Sequence, residues 1–252
     1  MHSLVEYYCQ YDEDQRLFRD NAHKIEWLTT IKYLNKYLPA CSNVFDCCAG
    51  TGRYSFWLAE NGFEVTAGDL MQKHIDYMKS DERASLLKDI FLCNALDMSE
   101  VKDNSFDVVL CMGAYYHLHE ETKRERLVSE CLRVLKNNGM LVLSYINRNA
   151  VFLNHFKYNP SEAITEDNVI RNGKNGVFYA ANFDEIKRLS HKFSIDEIAD
   201  IGIDGSMYPF IREINSLDDK AFQQYMEYHL LTCEVPSILG NSMHGLYFAT
   251  KV

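Results

Sequence analysis

The chain has 252 residues, 47% of them hydrophobic and 13% aromatic, which predicts one large α/β domain with a buried sheet and excludes disordered and repeat architectures. Its formal net charge is -10 at pH 7, and it has no long run of Lys and Arg. Nucleic acid is therefore disfavoured as a partner.

The amino-terminal part is predicted to be helical. Apolar residues recur with helical spacing between residues 14 and 38, and Pro39 ends the run. We expect one or two helices before the sheet and assign residues 1–40 to an N-terminal helical lid. Candidates for the inner lining of this lid, with packing and surface roles as the default, are Tyr7, Tyr8, Tyr11, Arg16, Arg19 and His23.

From residue 43 onward the sequence predicts strands that alternate with helices. The predicted strands are 43–47, 63–67, 90–93, 106–112, 140–146, 194–201 and 245–252. The predicted helices are 52–60, 73–79, 122–135, 183–192 and 218–231, with a turn at Asn138-Gly139 before the fifth strand. Such alternation favours a parallel sheet that binds ligands beyond the carboxyl ends of its strands. Residues 149–181 and about 203–240 interrupt it and have the lengths of cap insertions in a domain spanning residues 41–252.

The most informative segment joins the first predicted strand to the helix that follows it. Asp46-Cys47-Cys48-Ala49-Gly50-Thr51-Gly52 is a loop of small residues, and its two glycines let a ligand approach the backbone closely. The helix that begins near Gly52 directs its free N–H groups and its positive dipole end at the same place. A nucleotide-like ligand is therefore expected at the tip of the first strand.

Several motifs in this order resemble class I S-adenosylmethionine-dependent methyltransferases, over about residues 44–252. The loop resembles the D-x-G-x-G-x-G loop of that family, and Gly68-Asp69-Leu70 is similar to the acidic end of its second strand. Residues 93–98 are similar to its adenine loop, residues 103–109 to the entry into its fourth strand, and residues 132–141 to its L-x-R-V-L-K-P-G-G-x-L signature. In that signature, Asn137 and Asn138 stand where Pro and Gly are usual.

The resemblance implies both a fold and a reaction. The fold is a Rossmann-like, doubly wound sheet of seven strands, mostly parallel with an antiparallel last strand, together with a helical cap. The reaction is in-line methyl transfer from S-adenosyl-L-methionine to a small-molecule acceptor. Such a displacement needs alignment of the reacting atoms and exclusion of water more than it needs a covalent intermediate.

The cofactor-binding residues are predicted from the resemblance and from residue chemistry. Asp69 is expected to accept hydrogen bonds from ribose hydroxyls. Asn94 and the N–H of Ala95 suit the edge of adenine, with Asp97 as a competing candidate. Asp46 is expected to hold the loop or to meet the amino group of the cofactor through water. The full predicted set is Asp46, Cys48, Ala49, Gly50, Thr51, Gly52, Asp69, Leu70, Asn94, Ala95 and Met112.

One member of this set departs from the family pattern. Cys48 stands where the family loop has its first glycine. Cysteine is small enough to keep the close approach, but it would be strained if the backbone at this position required a positive φ.

The acceptor-side candidates follow the fourth predicted strand, in Tyr115-Tyr116-His117. His117 is the preferred candidate for a catalytic base, because an imidazole ordinarily titrates near neutrality. The alternative is a histidine that orders the start of the next helix or contacts the cofactor indirectly. Tyr115 and Tyr116 are expected either to wall the pocket or to pack against the helix. The close spacing of His117, His119 and Glu120 does not predict a metal site.

The remaining sequence signals concern the compartment. Eight cysteines without a C-x-x-C pair predict reduced thiols that are buried as small hydrophobic residues. The amino terminus lacks a signal-peptide pattern, and no segment reaches the roughly 18 uninterrupted apolar residues of a membrane span. We therefore expect a cytoplasmic protein without a membrane partner.

Two other functions stay open at this point. A glycine loop followed by an acidic residue also occurs in NAD-dependent oxidoreductases of the Rossmann type, although Gly50-Thr51-Gly52-Arg53-Tyr54-Ser55 lacks their third glycine. The second alternative is a non-catalytic regulator that binds S-adenosylmethionine.

Overall fold

A computed structural model describes residues 4, 6–8, 13–165 and 176–252 of the chain, so Cys9 and Tyr11 lie outside the described residues. The strands are β1 (Asn43–Asp46), β2 (Glu64–Asp69), β3 (Asp89–Leu92), β4 (Phe106–Cys111), β5 (Leu135–Ile146), β6 (Ile195–Gly202) and β7 (His244–Lys251). They form one sheet in the order β3-β2-β1-β4-β5-β7-β6. Strand β7 is antiparallel to both of its neighbours, and the other pairings are parallel. The predicted α/β sheet with an antiparallel last strand is confirmed.

Helices connect the strands at the predicted places. They are α1 (Asn21–Tyr37), α2 (Arg53–Glu60), α3 (Gln72–Ser80), α4 (Glu121–Val134), α5 (Arg148–Tyr158), α6 (Pro160–Ala163), α7 (Phe183–Lys187), α8 (Leu189–Lys192), α9 (Ile211–Asn215), α10 (Asp219–Thr232) and α11 (Pro236–Leu239). The helix predicted over 183–192 is interrupted at Arg188 and forms α7 and α8. Within the described ranges, no helix combines the length and the apolar character that crossing a bilayer requires.

The clearest difference from the sequence prediction lies between α4 and β5. The sequence predicts a separate turn at Asn138-Gly139, but β5 begins at Leu135, directly after α4, and its register with β4 shifts within its first residues. Asn138 has a φ of 60°, so it lies in the left-handed region. A Cβ on Gly139 would lie 2.9 Å from the carbonyl oxygen of Asp107. The Asn-Gly pair therefore shapes a bulge inside a long strand.

Helix α1 is packed into the core. Tyr33 and Leu34 belong to the same apolar cluster as Val44 of β1. On the opposite side, the hydroxyl of Thr29 lies 2.9 Å from Nε2 of His229 on α10. The helix is thus fixed between the sheet and the second insertion, and the described residues before it extend over the carboxyl ends of the strands.

The start of α1 offers a test of this packing. Oδ1 of Asp20 accepts the N–H of His23 at 3.0 Å and so caps the helix. We expect Asp20→Ala to lower the free energy of unfolding by about 1 kcal/mol, the usual cost of losing such a cap. Urea denaturation followed by circular dichroism measures it, with Asp76→Ala on the exposed face of α3 as the matched control. Equal losses in the two variants would contradict the assignment.

Candidate functional site

Two adjoining cavities open at the carboxyl ends of the strands. We call the first, of about 390 Å³, the strand-end cavity. It is lined by a majority of the residues predicted from sequence, namely Cys48, Gly50, Asp69, Leu70, Asn94, Ala95, Met112, Tyr116 and His117. The loop after β1, the end of β2, the loop after β3 and the segment after β4 are thereby brought together, as expected for a sheet whose parallel strands end at one edge.

The other predicted loop residues lie beside this cavity. Asp46, Ala49 and Thr51 line an adjoining pocket of about 40 Å³. Gly52 has a φ of 84°, and a Cβ on it would lie 2.9 Å from the side chains of Met78 and Phe56. Gly52 therefore faces the core and sets the turn into α2.

Cys48 fits the loop without backbone strain. Positive φ values in this loop occur only at Gly50 and Gly52, so position 48 does not need a glycine. A Cβ on Gly113, after β4, would lie 3.2 Å from Cβ of Cys48, which means that Gly113 leaves room for the cysteine side chain. The thiols of Cys47, Cys48 and Cys111 are free and lie within 4.8 Å of one another.

Asp69 ties the loop after β1 to the end of β2. Its Oδ2 accepts the N–H of Gly50 at 2.8 Å, and its Oδ1 accepts the N–H of Met71 at 2.8 Å. The same Oδ1 lies 3.0 Å from Nδ1 of His74. Asp69 is thus placed to shape the cavity, and its predicted contact with ribose stays a prediction.

His74 is a cavity residue that the sequence analysis missed. It is buried and lines the strand-end cavity, and its Nε2 has no hydrogen-bond partner among the described residues. Its position five residues after Asp69, in the first turn of α3, was the available signal. A ligand hydroxyl or a water molecule would satisfy this buried nitrogen.

Asp46 carries a carboxyl group that is costly to ionise. Its Oδ2 accepts the hydroxyl of Ser55 at 2.7 Å, while Oδ1 has no partner among the described residues. Burial raises the pKa of Asp46 to about 7; Ser55 and the N–H of Cys48 oppose the shift, and the nearby Asp69 adds to it. A cationic group beside Asp46 would restore its charge at neutral pH.

The loop after β3 favours Asn94 over Asp97 as the polar group of the cavity. Oδ1 of Asn94 accepts the N–H of Leu96 at 3.0 Å, so the side chain is held in a local turn with its amide nitrogen outside that bond. Asn94 and Ala95 both line the strand-end cavity, whereas Asp97 is absent from the described lining.

His117 is engaged at both ring nitrogens. Nδ1 lies 3.0 Å from the carbonyl oxygen of Val177, and Nε2 lies 2.9 Å from the hydroxyl of Tyr8. Because a carbonyl only accepts, we assign the proton to Nδ1, and Nε2 then accepts the hydroxyl of Tyr8. Burial lowers the pKa of His117. The imidazole is therefore neutral near pH 7 and holds Tyr8 over the cavity.

The two tyrosines before His117 face different surroundings. Tyr115 is fully buried, and its hydroxyl donates to Oε1 of Glu185 at 2.7 Å, an oxygen that also accepts Nε of Arg124 at 2.9 Å. Tyr115 lines neither of the two cavities and packs against Arg124 of α4, so its predicted catalytic role is not carried into the function proposed below. Tyr116 lines both of them.

We call the second cavity, of about 440 Å³, the aromatic cavity. Its aromatic side chains are Tyr7, Tyr8, Tyr116, Phe152, Phe178 and Tyr208. It shares Tyr8, Glu13, Arg16 and Tyr116 with the strand-end cavity, so the two spaces meet at these residues. Of the predicted lid residues, Tyr7, Tyr8, Arg16 and His23 line it, whereas the exposed Arg19 contacts His23 from outside.

This chain is similar to known proteins, both in sequence and in structure. Residues 45–143 match a family model described as a methyltransferase domain. The chain is 30% identical over 143 residues to a glycine/sarcosine N-methyltransferase of Aphanothece halophytica, a stretch that covers 55% of this chain and 52% of that protein. It is 28% identical over 120 residues to a ubiquinone biosynthesis O-methyltransferase of Coxiella burnetii, covering 47% and 50%. The chain thus spans about half the length of these relatives.

Solved structures show the same fold at low identity. A protein of Thermotoga maritima described as a possible histamine N-methyltransferase superposes with a TM-score of 0.63 at 17% identity, over 100% of both chains. The N-methyltransferase NodS of Bradyrhizobium japonicum, solved in complex with S-adenosylhomocysteine, superposes with a TM-score of 0.61 at 13% identity, over 99% of this chain and 97% of that one.

Proposed function

We propose that this chain, whose residues 45–143 match a family model described as a methyltransferase domain, is a class I S-adenosylmethionine-dependent methyltransferase that transfers a methyl group from S-adenosyl-L-methionine to a small-molecule acceptor. The observation that carries the proposal is the junction of the two cavities at Tyr8, Glu13, Arg16 and Tyr116. A donor in the strand-end cavity and an acceptor in the aromatic cavity would meet there, in the alignment that an in-line displacement needs.

The strand-end cavity has the groups that the proposed cofactor requires. Gly50 admits the cofactor to the backbone, Asp69 and His74 suit ribose hydroxyls, and Asn94 with Ala95 suits adenine. The unpartnered Oδ1 of Asp46 and Nε2 of His74 are buried polar atoms that a polar ligand or its bound water would satisfy. When bound, the cofactor supplies a methyl group on a positively charged sulfur.

We propose that the acceptor side is covered by the described part of the amino-terminal lid, residues 1–40, together with the described parts of the two cap insertions. Tyr7, Tyr8, Glu13 and Arg16 from the described part of this segment line the aromatic cavity. The hydrogen bond between Tyr8 and His117 attaches the amino-terminal segment to the loop after β4. A segment held there would exclude water from the reacting atoms. Tyr116, which lines both cavities, is kept as an acceptor-side residue in this proposal, and His117 is kept as the residue that positions Tyr8.

A small-molecule partner and a cytoplasmic compartment are part of the same proposal. A cavity of about 440 Å³ suits a small molecule, and the relatives named above are methyltransferases of small molecules. The seven cysteines in the described part of the chain are free thiols, which supports the cytoplasm as the compartment.

Calorimetric titration with S-adenosylhomocysteine and, separately, with NAD tests the proposal. We expect the homocysteine compound to bind and NAD to give no response. Transfer of labelled methyl groups from S-adenosylmethionine to the small-molecule fraction of a cell extract then tests catalysis. Binding of NAD alone would establish the oxidoreductase alternative. Binding of S-adenosylhomocysteine without any labelled product across extracts would instead establish a regulator.

A further inference from the structure

The aromatic cavity contains a histidine–carboxylate pair that neither the sequence analysis nor the proposed cofactor site uses. Asp204 follows β6, and His244 begins the neighbouring strand β7. Nδ1 of His244 lies 2.8 Å from Oδ2 of Asp204. Oδ1 of Asp204 accepts the N–H of His244 at 2.9 Å and the hydroxyl of Ser242 at 2.8 Å. Both side chains are therefore fixed in orientation.

This pairing leaves one ring nitrogen of His244 for the cavity. A carboxylate only accepts hydrogen bonds, so Nδ1 carries the proton and Nε2 carries the lone pair of the neutral imidazole. His244 and Asp204 both line the aromatic cavity, and their side chains are 23% and 7% exposed. Among the described residues, no hydrogen bond engages Nε2 of His244.

His244 is better placed as a base for this cavity than His117, the candidate predicted from the sequence. Burial disfavours its charged form, but Asp204 and Glu26 outweigh burial and raise the pKa of His244, with Arg16 opposing them. Burial lowers the pKa of His117, whose Nε2 is also engaged by Tyr8. A base needs an open lone pair within reach of the proton that it removes.

The charges around the cavity favour a cationic ligand. Among the described lining residues, the carboxylates are Glu13, Glu26 and Asp204, and the guanidiniums are Arg16 and Arg148. Arg16 is itself bound to both oxygens of Glu26, at 2.6 and 2.9 Å, and to Glu13 at 2.9 Å. The walls around these groups are aromatic rings, whose faces attract cations. An ammonium group matches this combination.

We propose that the aromatic cavity binds a small amine, and that His244, oriented by Asp204, removes the proton from its ammonium group before methyl transfer. This inference rests on the function proposed above. The lone pair of Nε2 takes one proton from the ammonium, which leaves a neutral amine with a free lone pair. The amine nitrogen then forms the new bond to the methyl carbon as the carbon–sulfur bond breaks, and the sulfur keeps that electron pair. The imidazolium of His244 releases its proton to water.

Binding experiments separate this inference from the proposed function. Calorimetry first tests S-adenosylhomocysteine, and failure to bind defeats the proposed function itself. The complex with S-adenosylhomocysteine is then titrated with 2-phenylethylamine and with histamine, each compared with the analogue in which a hydroxyl group replaces the primary amine. We expect at least one amine to bind about tenfold more tightly than its analogue. Equal or tighter binding by every hydroxyl analogue, or no binding by any amine, would overturn the amine assignment.

The role of His244 is tested by turnover of the amine that binds. We expect His244→Gln to lower kcat by about 100-fold or more and to remove the increase of kcat with pH, with unchanged affinity for S-adenosylhomocysteine. Asp204→Asn is expected to move that increase to lower pH, because the carboxylate raises the pKa of His244. His191→Gln, on the exposed face of α8, is the matched control. A folded His244→Gln enzyme that keeps the wild-type pH profile would refute the assignment.

Discussion

Replacement of Asp69 by alanine is expected to weaken the binding of S-adenosylhomocysteine by about 1 to 3 kcal/mol, the cost of losing a charged hydrogen-bond partner. The proposed contact with ribose would be lost. The N–H groups of Gly50 and Met71 would lose their acceptor as well, and so would the imidazole of His74. The same carboxylate holds the loop after β1 through Gly50. The lost ribose contact and the altered shape of the cavity would therefore both reduce the affinity for S-adenosylhomocysteine.

Calorimetry on the folded variants measures the effect of Asp69. Asp76→Ala, in which an exposed carboxylate of α3 is removed, is the matched control and is expected to bind like the wild type. Asp69→Asn separates the two contributions, since an amide oxygen can still accept the N–H of Gly50. Unchanged affinity in a folded Asp69→Ala protein would exclude Asp69 from the cofactor site.

Replacement of Asp46 by asparagine is expected to stabilise the protein by about 2 to 4 kcal/mol above pH 8, measured without ligand. The folded protein raises the pKa of Asp46 to about 7, from the value of about 4 that an aspartate has in an unfolded chain. Between these values the folded state holds a proton that the unfolded state has released, so this carboxyl lowers stability as pH rises. The neutral amide removes that cost.

The pH dependence is the decisive measurement for Asp46. The gain in free energy of unfolding from Asp46→Asn should be near zero at pH 4, grow through pH 5 to 7 and then level off. Urea denaturation at several pH values measures this difference, and other titrating groups cancel because both proteins share them. Asp76→Asn serves as the exposed control. A gain that is independent of pH would contradict a raised pKa at Asp46.

The sequence alone predicted most of the fold and the strand-end cavity. Strand and helix boundaries follow from local patterns of apolar residues and from turn residues, and these patterns survive in the structure within a few positions. Asp69 and Asn94 came from the same reasoning, because the carboxyl ends of parallel strands meet at one edge of the sheet. Local patterns could not show that β5 absorbs the Asn138-Gly139 turn, since a bulge depends on pairing with β4.

Side-chain directions after β4 show the limit of sequence reasoning. Tyr115, Tyr116 and His117 are consecutive, and no local pattern distinguishes the two tyrosines from each other. The 3-10 turn over these residues sends Tyr115 toward Glu185 in the core and leaves Tyr116 at both cavities. The partner of His117, Tyr8, is 109 residues away in the chain.

The sequence by itself determined the order of the elements and the position of the small-residue loop after β1, because both depend on residues that are neighbours in the chain. The tertiary structure alone decided which residues line the aromatic cavity. Asp204 and His244 are 40 residues apart and meet only because β6 and β7 pair at the edge of the sheet. Arg16 and Glu26 face them from the amino-terminal segment. Contacts between distant segments arise from packing and strand pairing, which no local pattern encodes.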